Sequence, residues 1–269
     1  MSRWAVGLSA SSCYPQKTAY TFAMAERLGY DGVEVMVWGE KLSRDVPRLQ
    51  RLAEDHGQPI LSVHAPTLFF LQHVWGTTWD QIDRSIELAE ELACPTVVAH
   101  PPFAWQRAYG RAFVEGIAER QARTEVKIAV ENMYPWRVPG TGARGKVPMY
   151  LPGWDPTYHE YAHVTLDLSH SATAHADAVA MARAAGPTLA HVHLADGSGS
   201  LKDEHLVPGD GSQPCEEVLG MLGEIGFSGS IIVEVGTRGV DEATRMSVPE
   251  DLGDLEATRI SPAQLPPVK

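Results

Sequence analysis

Short apolar runs alternate with amphipathic stretches from one end of the chain to the other. Eight runs, at residues 4–9, 32–37, 60–64, 96–100, 127–131, 164–167, 190–194 and 230–235, are rich in Val, Ile and Leu. Strands buried on both faces read this way in a parallel sheet covered by helices. Between the runs the apolar period becomes helical. At 79–93, Ile82, Ile86, Ala89 and Ala93 share one face, and Asp83, Glu87, Glu90 and Glu91 lie elsewhere. Helices are predicted at 18–28, 79–93, 106–123, 175–185 and 215–225, with Gly29 and Gly226 ending the first and last. Eight strands with intervening helices in 269 residues, without a break in composition, predict one α/β domain over 1–269, a single (β/α)8 barrel. A doubly wound sheet would carry GxGxxG after its first strand, and GLSASS does not supply it.

Two segments escape the alternation. Residues 133–156 hold Pro135, Pro139, Gly140, Gly142, Gly145, Pro148, Pro152 and Gly153, so they cannot be helical throughout. They also hold Arg137, Arg144 and Lys146, with no acid between Glu131 and Asp155. The segment reads either as a lid for an anionic ligand or as a plain insertion. Residues 240–269 form a C-terminal extension that is Pro-rich at its end.

Composition narrows the partners. A net charge of −12, from 34 acidic and 22 basic residues, disfavours non-specific attraction to nucleic-acid phosphates or anionic membranes. The N-terminus has no long apolar segment of the signal-peptide kind, and no stretch is long enough to span a membrane. Cys13, Cys94 and Cys215 are far apart and form no CxxC pair, so a reduced, cytoplasmic setting is expected. The oligomeric state is left open.

The chemistry concentrates at the strand ends. In such barrels the active site lies at the C-terminal face. Here those ends supply His64 in SVHAP, His100 in VVAHPP, Glu131 in IAVENM, Asp167 and His170 in TLDLSH, His193 in HVHLAD and Glu234 in IIVEV. A lone strand-end His is more often a structural hydrogen-bonder than a ligand. A Glu in an apolar strand, by contrast, costs several kcal/mol or more to bury unpaired, so Glu131 and Glu234 need a cation, either an Arg or Lys or a metal. Carboxylates and imidazoles converging on one mouth would repel without a metal, and mixed O/N ligands suit Zn²⁺ or Mn²⁺. The stretch after the seventh strand adds Asp196, Asp203 and His205, the last two being alternate residues able to point the same way. Glu34, on the second strand, reads as a supporting or substrate-contacting carboxylate, and His191 as a residue lower in the lumen or behind the ligands. His73, His159 and His163 fit no strand end, and Trp75, Trp79, Trp136 and Trp154 are expected to pack near the loops.

VENM, TLDLSH, HVHLAD through HLVPGDG, and IIVEV resemble the xylose-isomerase-like TIM-barrel superfamily over most of the chain, to about Gly239. The resemblance implies a divalent metal, Zn or Mn, held by Glu131, Asp167, His193 and Glu234. In the sugar isomerase and epimerase branch, Glu131 and Glu234 would also serve as acid and base, and His170 would hold a substrate hydroxyl. Arg137 stands where epimerases often carry a second Glu, and an Arg expected after His193 is missing. Lys202 or the basic residues of 133–156 would take its place, giving Arg137 and Lys202 as substrate contacts for a sugar or sugar phosphate.

The endonuclease IV branch uses three zinc ions, and its ligand pattern also carries over. His64, His100 and Glu131 would hold one ion; Glu131, Asp167, His193 and Glu234 a second; His170, Asp203 and His205 a third. One to three ions are therefore expected. Against DNA as substrate, GLSASS lacks the early His of that branch, Glu204 stands in place of its Arg, and the first loops lack basic residues. A metal-dependent sugar or sugar-phosphate isomerase/epimerase is the leading expectation, a multi-zinc phosphodiesterase the alternative. A barrel that binds without turnover is a third, since fold does not fix function.

Overall fold

The computed structural model describes residues 4–66, 71, 73–137, 140 and 145–237. The extension 240–269 and Arg144 lie outside them. Eight parallel strands close a barrel: β1 (Ala5–Ser9), β2 (Gly32–Met36), β3 (Ile60–His64), β4 (Thr96–Ala99), β5 (Lys127–Glu131), β8 (His163–Asp167), β9 (Leu189–Leu194) and β10 (Ser230–Val233). Each neighbours the next in that order, and β10 pairs with β1. Outside run α1 (Thr18–Leu28), α2 (Val46–His56), α3 (Thr78–Glu91), α4 (Arg107–Gln121), α5 (Leu168–Ala174), α6 (Ala178–Ala185) and α7 (Cys215–Glu224). No helix among the described residues is long and apolar enough to cross a membrane.

The main core lies between strands and helices. Phe22, Ile82, Phe113, Ile117 and Leu222 belong to the same buried cluster as Val33, Val35, Val97 and Ile231 of the barrel. Alternation along each strand sends the remaining side chains to the other face. On β9, Ala190, Val192 and Leu194 alternate with His191 and His193; on β2, Val33 and Val35 flank Glu34. All are buried, so the lumen is polar where the helix-facing side is apolar.

The structure departs from the sequence expectations in three places. Helix α2 was not foreseen: its sequence is mostly polar, and Leu49 is its one buried residue. Asp45 caps it by accepting from Arg48 N, and Pro47 sits within its first two positions, where a missing N–H costs nothing. The helix expected over 175–185 begins at Ala178, as α6, and a further helix not expected from the sequence, α5, precedes it over 168–174. Asp167 caps α5 at the very end of β8, His175 in the left-handed region (φ 55°) ends it, and Asp177 caps α6. Within 133–156, β6 (Trp136–Arg137) and β7 (Lys146–Val147) form a small antiparallel hairpin.

Register aligns the site. Ser9 lies beside Glu34, and Glu34 beside Ser62 after a register shift between β2 and β3. A second shift, between Val164 and Thr165, brings Asp167 beside His193, whose other neighbour is Ile232 on β10.

A candidate metal centre at the barrel mouth

Glu131 is the hub. It is 1% exposed. Its Oε2 lies 2.9 Å from His100 Nε2 and 3.3 Å from His64 Nε2. Its Oε1 lies 3.0 Å from His193 Nδ1 and 3.3 Å from His170 Nδ1. Glu234, just past β10, brings Oε2 to 3.0 Å from His193 Nδ1 and accepts from Ser11 Oγ at 2.6 Å. Asp167 divides its carboxylate: Oδ1 accepts from His170 N at 2.6 Å as the helix cap, while buried Oδ2 has no hydrogen-bond partner and lies 3.5 Å from His193 Nδ1.

Asp203 bridges two more imidazoles, with Oδ2 at 3.1 Å from His170 Nε2 and 3.0 Å from His205 Nε2. Donor atoms of His64, His100 and Glu131, of Glu131, Asp167 and His193, and of Asp167, His170 and His205 lie within 4.8 Å of one another in each set. All nine residues expected as ligands therefore meet at one mouth.

No Arg or Lys pairs with Glu131, Asp167 or Glu234 among the described residues. The compensating charge must come from imidazolium or from a metal. The hydrogen bonds of the histidines indicate which ring atoms are available. A carbonyl only accepts, so Nδ1 of His64, His170 and His205, facing Ala65 O (3.0 Å), Asn132 O (2.8 Å) and Glu234 O (2.9 Å), carries hydrogen. That leaves each Nε2 turned toward a carboxylate as a potential ligand atom. Histidines that bind metals are oriented in this way, by a protein acceptor on the far nitrogen. The unbonded Asp167 Oδ2 and these oriented rings fit a divalent N/O-coordinated metal such as Zn²⁺ or Mn²⁺.

Electrostatics agree with a tightly coupled cluster. Burial pushes Glu131 up, but His193 and His100 more than reverse this and hold it well below the usual range. Burial lowers His193, yet Glu234, Glu34 and Glu131 raise it well above its ordinary value. Asp203 likewise overcomes the burial of His205 and raises it to about 10. Glu234 alone among these acids is pushed up, by burial that His193 and His205 only partly offset.

A sequence model of the xylose isomerase-like TIM barrel family matches residues 22–254. The chain belongs to this family. It is 46% identical over 248 residues to an uncharacterized protein of Mycobacterium tuberculosis, covering 86% of this chain and 89% of the relative. An uncharacterized protein of Methanocaldococcus jannaschii is 27% identical over 256 residues, covering 87% and 85%. Among solved structures, a D-tagatose 3-epimerase-like protein superposes with a TM-score of 0.65 at 23% identity, over 86% of this chain and 90% of the other. An AP endonuclease, family 2, from Brucella melitensis gives 0.65 at 17%, over 95% and 100%. At these identities the structures attest the fold.

Four residues of this xylose isomerase-like barrel take places that the sequence did not specify. Arg137 donates to His175 Nε2 and to the carbonyls of Gly199 and Ser200, and Lys146 Nζ donates to Ala174 O at 3.2 Å. Both cations thus join the hairpin to neighbouring segments. Lys202 sits on an exposed loop. Asn132 was missed: its Oδ1 accepts from Asp167 N at 2.7 Å and its Nδ2 donates to Asp167 O at 3.0 Å, clamping the ligand strand. Its position directly after Glu131 was the only available signal.

Asp196 is an organiser of the loop that follows β9. Fully buried, it accepts four backbone N–H groups, from Gly197 (2.7 Å), Gly209 (2.9 Å), Gly211 (3.0 Å) and Gln213 (2.8 Å). A Cβ at Gly211 would collide with its Oδ1. Asp196→Ala strands those donors and is expected to destabilise the protein by about 3 kcal/mol or more. Urea unfolding checks this.

Proposed function

We propose that this protein is a metal-dependent isomerase or epimerase of a sugar, with the metal held by Glu131, Asp167, His193 and Glu234. The observation that carries the reading is the meeting of two buried glutamates, from β5 and from the end of β10, on the same nitrogen, His193 Nδ1, each at 3.0 Å. The D-tagatose 3-epimerase-like protein and the 3-keto-D-glucoside 4-epimerase of Escherichia coli, which share the fold, support the substrate class.

A divalent ion in this ligand set would supply Lewis acidity next to a carbonyl and its neighbouring hydroxyl. The chain's own groups do the rest. One glutamate accepts the proton α to the carbonyl, and the other returns a proton to the adjacent carbon or to the opposite face. Glu131 and Glu234, which both lie 3.0 Å from His193 Nδ1, are the pair placed to divide these two roles. Arg137 and Lys146 are engaged by carbonyls, so among the described residues a phosphate on the sugar would look to Lys202 for charge.

A second reading, a three-metal phosphoester hydrolase, is favoured by a separate observation. His64, His100, His170, Asp203 and His205 go beyond what one ion needs, and the rings of His64, His170 and His205 are all oriented with Nε2 toward carboxylates. Deuterium incorporation from solvent into C–H positions, followed by NMR over a panel of ketoses and their phosphates with zinc or manganese present, tests the first reading. Silence across the panel sinks it. Three ions per chain by elemental analysis, together with hydrolysis of an aryl phosphodiester, would establish the second.

A further inference from the structure

Glu34 is fully buried in the lumen, one layer below the mouth. Its surroundings differ from those of Glu131 and Asp167. Hydroxyls engage both of its oxygens: Ser9 Oγ donates to Oε1 at 3.0 Å and Ser62 Oγ to Oε2 at 2.8 Å. Its remaining capacity meets His193 Nε2 at 3.1 Å and His191 Nε2 at 3.2 Å. A carboxylate already accepting from two neutral hydroxyls has little left for a metal, although its distances alone would allow one. Two of the acids at the mouth show the opposite: Glu131 faces only imidazoles, and Asp167 Oδ2 accepts no hydrogen bond.

We propose that Glu34 is a positioning residue: by accepting the Nε2–H of His193, it fixes the tautomer that turns the lone pair of Nδ1 toward Glu131, Asp167 and Glu234. His193 is the exception among the oriented histidines. His64, His170 and His205 use backbone carbonyls on Nδ1 and present Nε2, whereas His193 lies within a strand and presents Nδ1. Its Nε2 points into the barrel, where it meets Glu34 rather than a carbonyl. Ser9 donates to Glu34 and Ser11, two residues on, donates to Glu234, whose other oxygen lies 3.0 Å from His193 Nδ1. The serines of the first strand end thus hold both Glu34 and Glu234 against one imidazole.

The assignment rests on the metal reading, and the test separates the two. Zinc binding is measured by competition with a chromophoric chelator for the full-length protein, Glu34→Gln and Ser9→Ala. Glu34→Gln is expected to weaken binding roughly 10- to 100-fold, the usual effect of losing such a partner, and Ser9→Ala by a smaller factor in the same direction. Thermal unfolding of the chelator-treated proteins reports whether each variant folds. Long-range ¹H–¹⁵N NMR of the zinc-loaded, unsubstituted protein should show His193 protonated on Nε2 and ligated through Nδ1. That spectrum decides the matter even if Glu34→Gln does not fold. A folded Glu34→Gln with unsubstituted affinity, or His193 ligated through Nε2, overturns the role of Glu34 and leaves the metal reading intact. No zinc binding by the unsubstituted protein overturns both.

Discussion

Zinc added to chelator-stripped protein is expected to raise the midpoint of thermal unfolding by roughly 8–16 °C at saturating metal. At a free concentration about a thousandfold above Kd, a ligand that binds only the folded state adds about 4 kcal/mol. For a chain of this size each kcal/mol moves the midpoint by roughly 2–4 °C. The shift is expected to be large because the site is already assembled. Glu131, Asp167 and His193 are held on three adjacent strands, and the far nitrogens of His64, His170, His193 and His205 are hydrogen-bonded. Ordering the ligands therefore costs little of the binding energy. Calorimetry with and without zinc or manganese checks the figure, and an unchanged midpoint with both metals would mean that the imidazoles alone balance the acids.

The second large effect falls on Glu131. Glu131→Gln keeps the shape of the side chain and removes the charge that four imidazoles share. The substitution puts an amide N–H₂ where at least one oxygen now faces two rings. On the proposed reading a proton-transferring group and a shared ligand go together, so turnover is expected to fall by about 10³-fold or more, general base catalysis alone contributing about 10²–10⁴. Metal content should fall as well. Glu234→Gln is expected to cut turnover while retaining more metal, because Glu234 faces His193 and the neighbouring Ser11 rather than four rings. Elemental analysis beside the exchange assay separates the two variants. Equal activity of Glu131→Gln and the unsubstituted enzyme would remove Glu131 from the reaction.

The barrel was legible because each strand is a short apolar run in a chain with regular punctuation. The mouth was legible because an acid or imidazole ending such a run has few innocent explanations: Glu131 and Glu234 stand out in KIAVEN and IIVEV. What escaped depends on events remote in sequence or on backbone geometry. Helix α2 does carry a helical pattern, with Val46, Leu49, Leu52 and Ala53 packing on the core, within an otherwise largely charged segment. The division between α5 and α6 turns on a left-handed His175, which no periodicity reports. Arg137 reads as a ligand-seeking cation until its partners, the carbonyls of Gly199 and Ser200, are seen 62 and 63 residues away. Ser9 and Ser11 look like strand-end filler until Glu34 and Glu234 are found beside them, 25 and 223 positions along the chain.

The pairing of β1 with β10 has a consequence for synthesis on the ribosome. Ala5 waits for Ser230 before its edge is covered, and Ser12 and Thr237 add a further tie across the same seam. A nascent chain that has not yet extruded its last strand is an open sheet, and Glu234 arrives with the strand that closes it. An ion captured earlier would find three of its four expected partners, so the full complement of ligands becomes available only to a chain that has completed its fold.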